Sequence, residues 1–154
     1  MYPLPQLTTA RLTLIPVTPA DEAELAGLET DPEVMRHLAG GDYLKPRGTE
    51  PEVLAARLRT DGAFIGWFAL FDDGVVKGLR QGELGYRLHR AFWGQGLGSE
   101  GARALADQAL TWLGFDLLRA EVATANTGSR RVLEKAGFAL AGPVCQDELA
   151  YERR

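Results

Sequence analysis

The segment WGQGLGSEGARAL, residues 93–105, contains a glycine pattern that could bind phosphate. Gly96, Gly98 and Gly101 form G-x-G-x-x-G, and the residues that follow predict a helix. The first N–H groups of a helix lack intrahelical acceptors and lie at the positive end of its dipole, so this end favours an anion such as phosphate. Three readings stay open at this point: a dinucleotide site, a different phosphate cradle, or a tight turn in which glycine only relieves crowding.

The dinucleotide reading fits the rest of the chain poorly. It requires an acidic residue at the end of the next strand, and Glu121 falls inside the predicted strand Leu117–Val122 rather than after it. A dinucleotide domain also begins with this unit, whereas most of this chain precedes it. The sequence therefore favours a different phosphate cradle, formed by the backbone around Gly94, Gly96 and Gly98.

The elements that must position this cradle predict a mixed α/β sheet. Apolar runs predict strands at Leu12–Val17, Ala63–Phe71, Gly82–Leu88, Leu117–Val122, Phe138–Gly142 and Glu148–Arg153. Capping residues predict helices from Pro19 to Glu29 and over Asp31–Leu38, Ser99–Leu113 and Thr127–Ala136. Asp72-Asp73-Gly74 predicts a turn after the second strand. A capping-box pattern favours a helix over Pro51–Arg59, although Leu54, Ala56 and Leu58 would also line one face of a strand.

Composition limits the class of protein. The 154 residues are 45% hydrophobic, which is enough for a proper core, and we expect a single domain over 1–154. A net charge of -4 argues against nucleic-acid binding. The single cysteine, Cys145, excludes an internal disulfide framework and a multi-cysteine metal site, and we expect no bound metal. Without a signal-peptide pattern or an apolar run of about 18 residues, we expect a cytoplasmic protein that does not bind membranes.

Three ordered segments carry a resemblance to a known family. They are GELGYRL (82–88), FWGQGLGSEGARAL (92–105) and NTGSRRVLEKAGF (126–138), flanked by TTARLTLIPVTPAD (8–21) and DPEVMRHL (31–38). In this order they resemble the GNAT N-acetyltransferase superfamily, in particular ribosomal-protein N-terminal acetyltransferases of the RimJ and RimL type. The resemblance implies a central, mostly antiparallel sheet flanked by helices, with a splayed pair of strands that binds acetyl-CoA.

The glycine segment takes a specific role from this resemblance. In the superfamily the pyrophosphate of acetyl-CoA lies on a loop of pattern Arg/Gln-x-x-Gly-x-Gly/Ala, which corresponds to residues 93–98. Trp93 stands where Arg or Gln is usual, so one side-chain contact to phosphate is lost and the backbone cradle remains. The resemblance implies cofactor contacts from Gln95, Gly96, Leu97, Gly98 and Ser99.

The resemblance also implies catalytic residues on the strand Gly82–Leu88. An alkylamine acceptor has a pKa near that of lysine, about 10.4, so a base must help to deprotonate it. Glu83 lies where several members keep that base, and a strand-edge carboxylate in a salt bridge is the alternative. A main-chain amide near Tyr86 to Leu88 would bind the carbonyl oxygen. Gly85 is consistent with a bulge that splays this strand from the next, and acetyl-CoA would enter the gap.

Asn126 and Ser129 stand at the start of a predicted helix, where both residue types commonly act as caps. The resemblance gives each a second role: Asn126 bonds the pantetheine arm, and Ser129 protonates or stabilises the leaving thiolate. Tyr151 is a weaker acid candidate that suits packing better. His37 and His89 are the two histidines of the chain, and a surface or loop position is commoner for this residue type than a catalytic one.

The implied activity is acetyl-CoA-dependent N-acetylation of a primary amine by direct transfer in a ternary complex, by a monomer or homodimer. A protein N-terminus and a small-molecule amine both remain open as acceptors. Acidic residues near Asp31 and Glu33 would suit a cationic acceptor and equally a solvated helix face. The chain is shorter between Leu38 and Phe64 than typical branch members, in a region that usually shapes the acceptor pocket. A non-catalytic CoA-binding module on the same fold is the alternative function.

Overall fold

The computed structural model describes residues 4–37 and 52–154, which contain an eight-stranded sheet and four α-helices. The strands are β1 (Leu7–Thr8), β2 (Leu12–Pro16), β3 (Val53–Leu58), β4 (Phe64–Val76), β5 (Leu79–Leu88), β6 (Leu117–Ala123), β7 (Ala139–Cys145) and β8 (Glu148–Arg153). The helices are α1 (Glu22–Glu29), α2 (Pro32–Met35), α3 (Leu97–Thr111) and α4 (Thr127–Lys135). No helix in these ranges is long and apolar enough to cross a membrane.

The sheet separates at one place, between β5 and β6. The strand order is β1-β2-β3-β4-β5-β6-β8-β7, and every neighbouring pair is antiparallel except β5 and β6. These two strands run parallel and pair over three residues only, Gln81–Glu83 against Leu117–Arg119. Beyond that ladder β5 continues to Leu88 and β6 to Ala123 as separate strands. The predicted mixed sheet and splayed pair are therefore present.

Helices cover both faces of the sheet. On one face Phe68 and Leu118, both fully buried, pack with Leu105 of α3 and Leu133 of α4. The opposite face has a smaller apolar cluster in which sheet residues pack against two leucines of α1, namely Val17, Leu25, Leu28, Val53, Ala55, Phe64 and Ala69. The gap between β5 and β6 therefore lies between these two apolar layers.

The prediction of a helix over Pro51–Arg59 is wrong for the described residues, because Val53–Leu58 forms β3. Four consecutive residues, Val53 to Ala56, are buried on both faces of the sheet between β2 and β4. The ladders with β2 and β4 require an extended backbone, so tertiary pairing overrides the local capping signal. Pro51 lies outside the described residues, as does Leu38, where the second helix was predicted to end.

The turn predicted at Asp72-Asp73-Gly74 is also wrong. The Asp72 carboxylate accepts from the Gly74 N–H at 2.9 Å, and the residues form a bulge inside β4. The chain reverses later, at Lys77 and Gly78, which both have positive φ. The bulge expected at Gly85 is absent, since Gly85 keeps regular register opposite Ala69. The splay of β5 comes from its short ladder with β6 instead.

Candidate functional site

A cavity of about 870 Å³ opens where β5 and β6 separate. Its walls are the end of β5, the end of β6, the first turn of α3 and the first turn of α4. Nine of the residues predicted for the site line it: Glu83, Tyr86, Leu88, Gly96, Leu97, Gly98, Ser99, Asn126 and Ser129. The tenth, Gln95, is not part of the wall. Residues from all three sequence motifs therefore meet at one cavity.

The glycine loop presents backbone N–H groups at one end of the cavity. Gly94 and Gly96 have φ of 72° and 79°, a left-handed backbone that favours glycine. Gly96 immediately precedes α3, and no side chain caps the N-terminus of this helix. The N–H groups of Leu97, Gly98 and Ser99 accordingly have no intrahelical acceptor. This end of α3 is chemically suited to an anion.

Trp93 and Gln95 each make a side-chain hydrogen bond that holds this loop, and Trp93 also lines the cavity. The Trp93 indole N–H donates to the Leu88 carbonyl at 2.9 Å, and the Gln95 side-chain amide donates to the Ala91 carbonyl at 3.0 Å. The residue that departs from the family pattern therefore ties the loop to the end of β5. The Gln95 side chain is therefore used within the loop, and its predicted cofactor contact stays a prediction.

A second set of contacts joins the loop to the start of β2, and sequence reasoning did not find it. We call it the β2–α3 joint, formed by Thr9, Arg11, Gln95 and Glu100. Arg11 Nε donates to Glu100 Oε1 at 2.8 Å, and Arg11 Nη1 donates to the Gln95 carbonyl at 2.8 Å. Burial opposes ionisation of Glu100, but hydrogen bonds from Thr9 and Arg11 outweigh it and lower the pKa of Glu100. Arg11 and Glu100 are 89 residues apart, so no local pattern indicates the joint.

Tyr86 and Ser129 meet across the gap between β5 and α4. The Tyr86 hydroxyl lies 2.6 Å from Ser129 Oγ, and the Tyr86 ring stacks on Phe68 with centroids 5.7 Å apart. Burial raises the pKa of Tyr86 to about 12, against a smaller opposing effect of the bond with Ser129. The phenol therefore stays protonated at physiological pH and can donate to Ser129. Its side chain was not part of the sequence prediction, which used only the backbone of this strand.

Asn126 performs the capping role that its residue type suggests. Its Oδ1 accepts from the Ser129 N–H at 3.1 Å and so caps α4. The side-chain NH2 group of Asn126 takes no part in that bond, and Asn126 lines the cavity. Capping and a ligand contact are therefore compatible at this position.

Glu83 reaches the cavity from the opposite face of the sheet. It is half-buried, opposite Phe71 in β4 and Arg119 in β6. Side chains alternate along a strand, so Glu83 lies on the α1 face whereas Tyr86 lies on the face covered by α3 and α4. Since Ser129 bonds Tyr86, the predicted base and the predicted acid approach the cavity from two sides. In the described ranges, no three His, Cys, Asp or Glu side chains are grouped to hold a metal.

A model of the acetyltransferase (GNAT) domain family matches residues 11–139. This chain belongs to that family. The FsC-acetyl coenzyme A-N(2)-transacetylase of Aspergillus fumigatus is 29% identical over 152 residues, covering 87% of this chain, and the chain spans 65% of that relative's length.

Solved structures of this acetyltransferase family share the fold. A GNAT acetyltransferase from Bacillus anthracis superposes with a TM-score of 0.83 at 18% identity, covering 97% of this chain and 98% of its own. An aminoglycoside acetyltransferase solved in complex with coenzyme A and kanamycin gives 0.71 at 19% identity, covering 92% and 94%. At these identities the likeness establishes the fold and confirms the mixed sheet flanked by helices.

The α1 face of this GNAT domain also carries charged residues that the sequence analysis did not assign to the site. Arg87 is 6% exposed, lies 5.3 Å from the Trp67 ring, and forms an ion pair of 3.5 Å with Glu29. Burial raises the pKa of Glu29, although the charge of Arg87 opposes the shift. Arg87 could have been found from its spacing, because it follows Glu83 by four residues and side chains an even number of positions apart share one face of a strand.

The other candidates from the sequence lie partly on the cavity wall and partly away from it. Tyr151 is fully buried away from the cavity wall, where its hydroxyl donates to Glu134 at 3.3 Å. His37 lines the cavity, and His89 packs edge-on against Phe64. Glu121 of β6 lines the cavity with Glu148, whose pKa is raised by burial and then by this neighbouring carboxyl group.

Proposed function

We propose that this protein is an acetyl-CoA-dependent N-acetyltransferase that transfers the acetyl group directly to a primary amine in a ternary complex. The observation that carries the proposal is that the glycine loop, Glu83 and Ser129 line the same cavity. Membership of the GNAT family and a neighbouring fold solved with coenzyme A and kanamycin support this class of reaction.

The residues present fit acetyl-CoA. The loop has two glycines at left-handed φ before an uncapped helix, which suits a pyrophosphate. At the other end of the cavity Asn126 offers amide donors. When bound, acetyl-CoA supplies the acetyl thioester.

The chemistry has a balanced set of partners in this cavity. Transfer forms a C–N bond between the acetyl carbon and the amine, breaks the C–S bond, removes one proton from the amine and returns one to the thiolate. We assign the first proton to Glu83, directly or through water, and the second to Ser129. A main-chain N–H between Tyr86 and Leu88 stabilises charge on the carbonyl oxygen. The approach from two faces separates the base from the acid.

Tyr86 adds a positioning role to this assignment. Its hydroxyl is 2.6 Å from Ser129 Oγ and stays protonated because its pKa is about 12. If the phenol donates to Ser129, the serine proton is directed away from Tyr86 and toward the cavity. Ser129 then has one orientation in which it can donate to a leaving thiolate.

The acceptor is a primary amine of either a protein N-terminus or a small molecule. The fungal relative is named as an N(2)-transacetylase, and the aminoglycoside acetyltransferase was solved with kanamycin. Placement in the RimJ and RimL branch is part of the proposal and rests on the ordered motifs of residues 82–138.

Two substitutions test the proposal. In a screen of N-terminal peptides and small amines, Glu83→Gln and Ser129→Ala should lower kcat by about 10²-fold or more, because each removes a proton-transfer group. Coenzyme A binding, measured by calorimetry, should be unchanged. Glu152→Gln is the matched control, since Glu152 pairs with Arg119 on the same sheet face but does not line the cavity.

The opposite result has a clear meaning. If neither variant changes acetylation of any amine while coenzyme A still binds, the proton-transfer assignment is wrong, and a complete lack of acetylation by the unsubstituted protein favours a binding module. Acetyl-CoA at 100 times its Kd should stabilise the fold by about 2.7 kcal/mol, and NAD should not. A thermal shift with NAD alone would overturn the proposal.

A further inference from the structure

We propose that Arg11 is a positioning residue for the pyrophosphate loop, acting through Gln95 and Glu100. It orients the loop backbone and neutralises an acidic side chain that would otherwise repel the bound pyrophosphate. The proposal rests on the proposed function, in which residues 94–99 bind the pyrophosphate of CoA.

Glu100 presents an electrostatic difficulty at this end of α3. It lies in the first turn of the helix, the same turn whose N–H groups face the anion site. A carboxylate there interacts well with the helix dipole but repels a second anion. The loop itself, WGQGLGS at residues 93–99, contains no arginine or lysine to offset that charge.

The β2–α3 joint removes this difficulty by engaging both carboxylate oxygens. Oε1 accepts from Arg11 Nε at 2.8 Å. Oε2 accepts from the Arg11 backbone N–H at 2.9 Å and from Thr9 Oγ1 at 2.5 Å. The carboxylate is thereby held against Thr9 and Arg11, which lie in the turn before β2 and do not line the cavity.

The same guanidinium also sets the loop conformation. Arg11 Nη1 donates to the Gln95 carbonyl at 2.8 Å, one residue before the left-handed Gly96. Arg11 Nη2 lies 3.3 Å from the position that a Cβ at Gly96 would occupy, so the side chain lies against the loop. With that carbonyl held outward, the following N–H groups are directed to the cavity. Arg11 therefore supplies order and positive charge where Trp93 has replaced the usual polar residue.

The test compares donors with and without the pyrophosphate. The Kd of CoA is measured by calorimetry, and kcat and KM are measured with acetyl-CoA and with S-acetylpantetheine. Arg11→Gln should weaken CoA binding and raise the KM for acetyl-CoA by about 10-fold, while kcat/KM for S-acetylpantetheine stays within about twofold. Arg11→Lys keeps the charge but loses the planar guanidinium, so its KM for acetyl-CoA should lie between those of the unsubstituted protein and Arg11→Gln.

A double variant separates charge from order. In Arg11→Gln with Glu100→Gln the repelling carboxylate is gone, so part of the lost CoA affinity should return. The matched control is Arg59→Gln, because Arg59 Nη1 donates to the carbonyls of Thr9 and Ala10 in the same hairpin. It should leave the ratio of the two donors unchanged. Thermal melting identifies any variant that fails to fold, and Arg11→Lys then carries the comparison.

The outcomes distinguish the two proposals. Equal losses with acetyl-CoA and S-acetylpantetheine in the Arg11 variants would overturn the role of Arg11, because the effect would not depend on the pyrophosphate. If the unsubstituted protein itself used both donors equally well, the pyrophosphate loop of the proposed function would be wrong. A selective loss with acetyl-CoA, partly restored in the double variant, supports both.

Discussion

Gly101→Ala should destabilise the protein even though alanine is the better helix former. Gly101 lies inside α3 with its Cα against the sheet, and an added Cβ would lie 2.2 Å from Phe68 Cζ and 2.5 Å from Cε2. Carbon atoms in contact are normally about 3.5–4.0 Å apart. Phe68 is fully buried and cannot turn out of the way, so α3 must move from the sheet.

The magnitude follows from two opposing effects. Replacing glycine by alanine in a helix gains about 1 kcal/mol. An overlap this large belongs at or above the upper end of the usual overpacking cost of about 1–3 kcal/mol. We therefore expect a net loss of about 2 kcal/mol, which lowers Tm by about 4–8 °C for a chain of this length.

Gly27→Ala is the matched control for this change. Gly27 lies inside α1 and nothing would lie within 4 Å of its Cβ, so the same substitution should stabilise by up to about 1 kcal/mol. Urea denaturation of both variants measures the two changes, with opposite signs expected. Phe68→Leu should be less harmful in the Gly101→Ala background than alone, since it makes room for the new methyl group. A Gly101→Ala protein as stable as the unsubstituted one would refute the packing argument.

Two further predictions concern single side chains. Tyr86→Phe removes the hydroxyl that contacts Ser129 but keeps the ring that stacks on Phe68, so kcat should fall by up to about 10-fold while the KM for acetyl-CoA is unchanged. In the Ser129→Ala background the same change should have no further effect on kcat. Additive losses would contradict the positioning role. The pKa of Asp72 is lowered from 3.8 by its hydrogen bond with Arg80 and then by the Gly74 N–H, so its stabilising effect exists at neutral pH and is lost as pH falls through the lowered pKa. Asp72→Asn should therefore lower the urea midpoint at pH 7 more than at pH 3, and an equal difference at both pH values would contradict this linkage.

Much of the C-terminal half could be predicted because its signals are local. Helix α4 begins after Asn126, which caps it, and β8 has the predicted bounds Glu148–Arg153. The region around β3 could not, since a capping pattern and a strand pattern coincide there. Only its pairing with β2 on one side and β4 on the other, with Val53–Ala56 all buried, decides for the strand. Local sequence does not contain that information.

The candidate site divides in the same way. The motifs that carry the resemblance supply much of one cavity wall, which includes Gly96 and Ser129, while the roles given to these residues stay predictions. The contacts between the motifs depend on how the strands separate. The Tyr86 to Ser129 bond and the Arg11 to Glu100 pair join residues that are 43 and 89 positions apart, so neither has a signature in any window of sequence.

The short ladder between β5 and β6 divides the sheet into two plates, β1 to β5 on one side and β6 to β8 on the other. Three residue pairs form the hinge between the plates, and α3 and α4 are packed on the same layer of core residues across it. A molecule that binds in the opening contacts both parts of the sheet and so stabilises their relative position. Its binding should slow hydrogen exchange in both plates together, rather than only in the residues that it contacts.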